Sequence, residues 1–420
     1  MGTLHNWAGN LTYSAARLHQ PTSVEQVQVI VKNSRRVKAL GSRHSFNSIA
    51  DTPDDLISLE HLNGVVALDP ENGTVTAEAG MKYGDLAVYL DQVGYALHNM
   101  ASLPHISLAG ACATATHGSG DKNGNLATAV AAMEIVTGEG ELVTLSAEHA
   151  GETFQGAVVG LGALGVVTKV TLNIVPTFTV RQEVYENLPQ ANLEDHFDAI
   201  TSSAYSVSLF TDWQKDRVNL LWLKRLVTED TPGEIAPEMF GARLAAVDRH
   251  PIVELSAENC TPQMGIPGPW HERLPHFRMG FTPSNGEELQ TEYFVPRQNA
   301  VAAIGAVTAL RDRLAPLLQI SEIRTIAPDS LWMSPCYQQP CVALHFTWWK
   351  DWAAVEPFLP ELEEALAPFE ARPHWGKLFA MAPARVQALY PKLPDFRRLA
   401  QSFDPEGKFR NAFLDAYIFG

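Results

Sequence analysis

The sequence predicts an α+β chain of two domains, and three observations carry that reading. Short apolar runs alternate with amphipathic helical runs over the first 125 residues, hairpin patterns take over up to Pro176, and residues 177–373 hold most of the tryptophan and proline. With 420 residues, 46% of them hydrophobic, the chain can fill a core in each of two domains. The alternation favours short strands on small sheets over one long parallel sheet.

Each element has a local cause. In "QPTSVEQVQVIVKNS" (20–34) Ser23 can cap a helix, Gln26 stands three residues on as in a capping box, and Val24, Val27 and Val31 share a face. Residues 37–40 then form a short strand that ends in the Gly41-Ser42 turn, and "GVVALDPENGTVTAEAG" (64–80) reads as a hairpin about Pro-Glu-Asn-Gly. A helix over "YGDLAVYLDQVGYAL" (83–97) stops at Gly94. "AMEIVTGEGELVTLS" (132–146) is a second hairpin, about Gly138-Glu139-Gly140, and "GVVTKVTLNIVP" (165–176) alternates with period two before a domain boundary near 176.

Composition excludes several classes. A formal net charge of −16, with no run of Lys or Arg, repels nucleic acid and anionic membrane surfaces. Four cysteines without a C-x-x-C pair make neither a disulfide framework nor a zinc site, so no metal is expected. The N-terminus lacks a basic start followed by an apolar stretch, and no apolar segment is long enough to span a bilayer. The expectation is a cytoplasmic protein.

Two glycine-rich stretches compete for attention. Residues 160–165, "GLGALG", spell the dinucleotide fingerprint, but β-branched residues 166–171 follow where a helix is required, which excludes a Rossmann nicotinamide site. Residues 99–120, "NMASLPHISLAGACATATHGSG", are nearly free of bulky or charged side chains, so consecutive backbone amides can face one anionic group such as a pyrophosphate. The same residues also suit a tightly packed turn. "GSRHSFN" (41–47) places a histidine in a small-residue turn, where a solvated side chain is the ordinary outcome.

Together, "GSRHSFN" and "SLPHISLAGACATATHGSG" resemble the flavin-binding domain of the vanillyl-alcohol-oxidase-type family, nearest its sugar-alcohol and aldonolactone oxidases. "NWAGN", "SVSLFTDW", "GPWHERLPHF", "EIRT", "HFTW", "RPHWGK" and "DPEGKFRNAF" extend the resemblance end to end, toward the alditol oxidase branch. The resemblance implies a two-domain PCMH-type FAD-binding fold, residues 1–176 completed by 378–420 through a returning segment with Lys408, Asn411 and Phe413, and an α+β substrate cap at 177–377. It implies FAD bonded through its 8α-methyl carbon to His44, with Gly41, Ser42, Arg43, Ser45, Ser102, Ser107, Gly110, Thr114, His117, Gly118 and Val167 at the cofactor. Leu103 stands where some relatives carry a second, cysteine tether, so a single link is expected and Cys112 is a small buried residue. His117 is expected to hydrogen-bond within its loop.

For the reacting centre the resemblance points to Glu322, Arg324, His345, Thr347 and Lys377, with Ser102. Glu322 and Arg324 share one face of a strand, as do His345 and Thr347. By themselves these spacings also fit an inter-strand ion pair and a core histidine. The implied roles are stabilisation of alkoxide character by Arg324 and Lys377, proton acceptance by His345, orientation of the cations by Glu322, and hydroxyl binding by Ser102 and Thr347. "GPWHERLPHF" is left outside the site. The implied activity is oxidation of a terminal hydroxyl of an alditol such as xylitol or sorbitol to the aldose by a monomer, with O2, gated near Ala101, reduced to H2O2. The alternatives are an aldonolactone oxidase or dehydrogenase and a non-catalytic sugar-binding protein.

Overall fold

Local capping starts the fold where the sequence places it. In the computed structural model, which describes residues 3–231, 233–281 and 287–420, Ser23 caps α1 (Val24–Asn33) by accepting the amide of Gln26. The Gln26 carboxamide reaches back to the amide of Thr22, one residue outside the expected reciprocal pair. Val27 and Val31 are buried against Val37, Ile57 and Phe409. Beside α1, β1 (Arg17–His19), β2 (Val37–Leu40) and β3 (Asp55–Ser58) form a parallel sheet in the order β1-β3-β2.

The hairpin β4 (Val65–Asp69) and β5 (Thr74–Glu78) and the helix α2 (Tyr83–Gln92) follow as expected, with Gly94 at φ +85° ending the helical run. After β6 (Tyr95–Ala96), the small-residue stretch contributes only one short helix, α3 (Leu108–Ala113). The second hairpin, β7 (Val130–Val136) and β8 (Leu142–Ser146), is followed by α4 (Ala147–Val158), β9 (Val166–Asn173) and β10 (Val175–Pro176). Strands β7, β8 and β9 complete an antiparallel sheet of order β4-β5-β9-β7-β8, and β10 pairs with β6. Because β9 begins directly after Gly165, "GLGALG" leads into a strand, as its β-branched sequel requires. A Cβ on Gly165 would lie 2.3 Å from the Val136 carbonyl, which explains a glycine there by close approach to β7.

The middle of the chain builds one large antiparallel sheet. Its strands are β11 (Thr179–Pro189), β12 (Ser206–Thr211), β13 (Arg217–Leu226), β14 (Glu238–Met239), β15 (Ala242–Leu244), β16 (Gly268–Pro269), β17 (Glu288–Pro296), β18 (Leu318–Ile326), β19 (Cys341–Trp349) and β20 (Arg372–Pro373). The order is β14-β15-β11-β13-β12-β18-β19-β17-β20, with β16 on β11. Period two divides it into two faces. Leu209, Leu221, Ile323, Leu344, Phe346 and Trp348 pack into an apolar core, which leaves Glu322, Arg324, His345 and Thr347 for the opposite face.

The chain end returns to the beginning. Lys408 accepts the amide of Val37 at its carbonyl (2.9 Å), and Asn411 Nδ2 donates to the carbonyls of Ser48, Ile49 and Asp51. Among the described residues no helix is long and apolar enough to cross a membrane.

Candidate active site

A cavity of about 350 Å³ runs between the glycine-rich loops and the polar face of the large sheet. Its first wall is made of backbone and small side chains. The Ser107 amide donates to Ser42 Oγ (3.1 Å) and the Ser42 amide to Ser107 Oγ (3.3 Å), which locks the two loops together. A Cβ added to Gly41 would lie 2.5 Å from Ser107 Oγ, and one on Gly110 2.8 Å from it, so a side chain at either position would displace the Ser107 hydroxyl from the Ser42 amide. Arg43, at φ +62°, holds the turn in a left-handed conformation that costs a non-glycine residue about 1 kcal/mol. Asn47 Nδ2 donates to the carbonyls of Trp375 and Lys377 at 2.8 Å each, fastening this turn to the one that carries Lys377.

His44 lies inside this wall with both ring nitrogens buried and unpartnered. Its ring stacks on Trp7, centroids 5.5 Å apart. Burial pushes its pKa down to about 4, so the ring is neutral and its free lone pair is nucleophilic. A buried, orphaned imidazole is costly unless something else completes it.

The second wall is a lattice of buried charges. Strand register places Phe210, Glu322, His345 and Glu292 side by side across β12, β18, β19 and β17. Glu292 is the hub. Its Oε1 accepts from Arg324 (2.8 Å) and lies 3.2 Å from His117 Nε2, while its Oε2 pairs with Lys377 Nζ (2.7 Å). Lys377 also donates to His345 Nδ1 (2.7 Å), and His345 Nε2 meets Thr347 Oγ1 (3.1 Å). Glu322 Oε1 accepts from His276 (2.8 Å) and faces Arg324 Nε at 3.5 Å. Arg324 reaches across to Ser102 Oγ at 3.4 Å, joining the two walls.

These contacts decide which groups are charged. Burial alone would raise the Glu322 carboxyl, but Arg324 and then His276 hold it well below the usual carboxylate range. Glu292 is likewise held low against its burial by Lys377, then by His117 and Arg324. Burial works against the Arg324 charge, and the two carboxylates more than offset it. Lys377 is lowered by burial, with Glu292 opposing, and His345 is pushed to about 4 by burial and by Lys377.

The expected residues converge. Gly41, Ser42, Arg43, His44, Ser45, Ser102, Ser107, Gly110, Thr114, His117, Val167, Glu322, Arg324, His345, Thr347 and Lys377 all line the cavity. Gly118 does not: it sits behind the wall, where a Cβ would lie 2.3 Å from the Met100 carbonyl, and its own carbonyl accepts from His117 Nδ1 (2.8 Å). His117 thus bonds within its loop as expected and also reaches Glu292. Cys112 is buried, with its Sγ 3.4 Å from the Tyr83 hydroxyl.

Sequence reasoning missed Glu292 and His276. The alternation Glu288-Gln290-Glu292 puts three polar residues on one face of β17, all lining the cavity, and was the available signal. His276 stands in "GPWHERLPHF", which the sequence reading left outside the site. Trp270 of that string is fully buried in the core, as a packing role requires, whereas His276 and Phe277 enter the cavity wall.

Comparison with known proteins follows the same division. A family model described as an FAD binding domain matches residues 15–146, and one described as D-arabinono-1,4-lactone oxidase matches residues 283–417. Over 412 residues, 97% of this chain and 97% of the relative, the chain is 48% identical to an alditol oxidase of a Streptomyces strain. The chain belongs to the vanillyl-alcohol-oxidase-type flavoprotein family. Within that family it is also 30% identical, over 97% of each chain, to the L-gulono-1,4-lactone dehydrogenase of Mycobacterium tuberculosis. The fold superposes on cholesterol oxidase from B. sterolicum with a TM-score of 0.79, covering 99% of this chain and 96% of that one, at 16% identity. Membership of this flavoprotein family accounts for the first wall. The glycine cradle, the absence of side chains at Gly41 and Gly110 and the orphaned His44 nitrogens fit FAD.

Proposed function

We propose that the protein is a flavin-dependent oxidase that converts a terminal hydroxyl of an alditol, such as xylitol or sorbitol, to the aldose, with FAD tethered to His44 and O2 reduced to H2O2. The observation that carries this reading is the pairing of an orphaned, buried histidine on one wall with the array of Arg324, Lys377, His345, Glu322 and Glu292 on the other. Bound against the 41–45 turn and the 99–120 loop, FAD would supply the hydride acceptor for the carbinol carbon.

The residues supply everything else. Burial keeps His345 in its basic form, so it takes the hydroxyl proton at Nδ1 as Lys377 shifts its hydrogen bond from the ring to the forming alkoxide. Arg324 adds a second cation, and Glu292 holds both cations in place, so that only the Lys377 hydrogen bond to the ring is exchanged as charge develops. Glu322, Thr347 and Ser102 bind further hydroxyls. His44, neutral and unpartnered, provides the nucleophilic nitrogen of the tether. The four free, buried cysteines support a reducing compartment, hence the cytoplasm. The separate core of the large sheet supports a substrate domain at 177–377, and the returning Lys408 and Asn411 support an FAD domain of 1–176 with 378–420.

Mixing the purified protein anaerobically with xylitol and then admitting air tests the reading. Bleaching of the flavin band followed by recovery with peroxide is expected. Bleaching without recovery means a dehydrogenase. Bleaching with an aldonolactone but with no alditol establishes the second reading, which the D-arabinono-1,4-lactone oxidase match over 283–417 favours. Yellow colour retained in an acid pellet supports the His44 tether, and colour released to the supernatant rejects it.

A further inference from the structure

Behind Glu322 lies a chain of buried polar groups that the roles above leave unused. Lys224, on β13, is fully buried, and its Nζ donates to the carbonyls of Leu274 and Pro275 and meets His276 Nδ1 at 3.1 Å. The other ring nitrogen of His276, Nε2, stands 2.8 Å from Glu322 Oε1. Phe210 and Trp222 pack edge-on against the ring, at 5.5 and 5.2 Å, and the His276 amide donates to the Ser102 carbonyl (3.0 Å). The ring is therefore held on every side.

Hydrogen-bond arithmetic fixes its protons. Glu322, held as a carboxylate, can only accept, so the single proton of the neutral His276 ring sits on Nε2 and points at it. Nδ1 is then left as an acceptor for Lys224 Nζ, whose other protons go to the Leu274 and Pro275 carbonyls. With Oε1 taken by His276 and Arg324, Glu322 has Oε2 to offer.

We propose that Lys224 and His276 are positioning residues for substrate recognition: Lys224, donating to Nδ1, braces the tautomer of His276 whose Nε2–H holds Glu322 Oε1 and so presents Oε2 as a fixed acceptor for a polyol hydroxyl. The inference rests on the polyol reading of the site. It separates Glu322 from a mere counter-ion of Arg324, because a counter-ion needs no oriented second oxygen. It also assigns a purpose to a fully buried lysine in the strand "VNLLWLKRL".

The test uses the FAD-loaded enzyme and three variants, His276→Leu, His276→Gln and Lys224→Met, with xylitol affinity and limiting bleaching rate read separately in anaerobic mixing. His276→Leu and Lys224→Met are expected to weaken xylitol binding roughly ten- to a hundredfold, the worth of one hydrogen bond to a charged group. The limiting rate changes far less. His276→Gln, whose amide keeps one donor and one acceptor, restores affinity to within about threefold of the parent on that scale. If His276→Gln binds as weakly as His276→Leu with flavin retained, or if His276→Leu binds xylitol like the parent, the relay is rejected. The histidine pair decides the matter even if Lys224→Met fails to fold. A parent enzyme that bleaches only with a lactone overturns the polyol reading instead, and the same affinity shifts are then read with that lactone.

Discussion

The two walls of the cavity are built on opposite principles. One is made of glycine, serine and backbone, and its titratable ring, His44, stands alone. The other gathers two carboxylates, a guanidinium, an ammonium and three histidines into one buried lattice. The first makes room for a large planar group by removing side chains. The second spends desolvation on charges that are already oriented, which is what stabilising charge in a transition state requires. Position along the chain separates them too: the first wall comes mostly from residues 41–118, the second from strands far apart in sequence.

Breaking the charged wall at its hub should have the largest effect. Glu292→Leu leaves Arg324 and Lys377 buried with one counter-ion removed, and loss of one partner in such a set costs about 3–5 kcal/mol. Chemical unfolding of variant and parent measures it, and a loss below about 1 kcal/mol, the range of exposed pairs, means that Glu292 is not the hub. Arg324→Ala and Lys377→Ala come next. Each removes one preorganised donor and should lower turnover on the best polyol by about 10²–10³. Turnover near that of the parent in either variant removes that residue from the reacting centre.

The quiet wall should respond to bulk instead of charge. Gly41→Ala puts a methyl group 2.5 Å from Ser107 Oγ, an overpacking that typically costs about 1–3 kcal/mol, and should reduce the FAD content of the purified protein. Adding Ser107→Ala removes the clashing oxygen and should recover part of the loss. FAD content unchanged by Gly41→Ala shows that the loops have room to part, and that the cradle is not formed by this contact.

Legibility follows the same contrast. Everything set by local chemistry was readable: the Ser23 cap, both hairpins, the strand after "GLGALG", and the pairs Glu322/Arg324 and His345/Thr347, which share a face by simple alternation. The His44 turn and the glycine loop were ambiguous by composition, which also suits a solvated histidine and a tightly packed turn, and became readable through their resemblance to a flavin-binding domain. Glu292, Lys224 and His276 were not readable: the Glu288-Gln290-Glu292 alternation marks a polar face, but nothing near any of the three announces its partner. Glu292 acquires its role from β19, β18 and the Lys377 turn, and Lys224 from a loop fifty residues on. Such contacts depend on strand order, and β17 lies between β19 and β20, which local pattern does not encode.

The smallest predicted effect concerns protons that both walls refuse. His44, His276 and His345 are each pushed by burial from 6.5 to about 4. Between those values the unfolded chain binds protons that the folded chain does not, so stability is fully present above pH 6.5 and drains away as pH falls toward 4. Each such ring contributes a slope of about 1.4 kcal/mol per pH unit inside the window. His345→Gln should therefore flatten the decline of unfolding free energy with falling pH by about one proton's worth, while leaving the values above pH 6.5 parallel to those of the parent. If the slope is unchanged by His345→Gln, the ring titrates in the folded protein as it does in the unfolded chain, and burial is not what keeps it in its basic form.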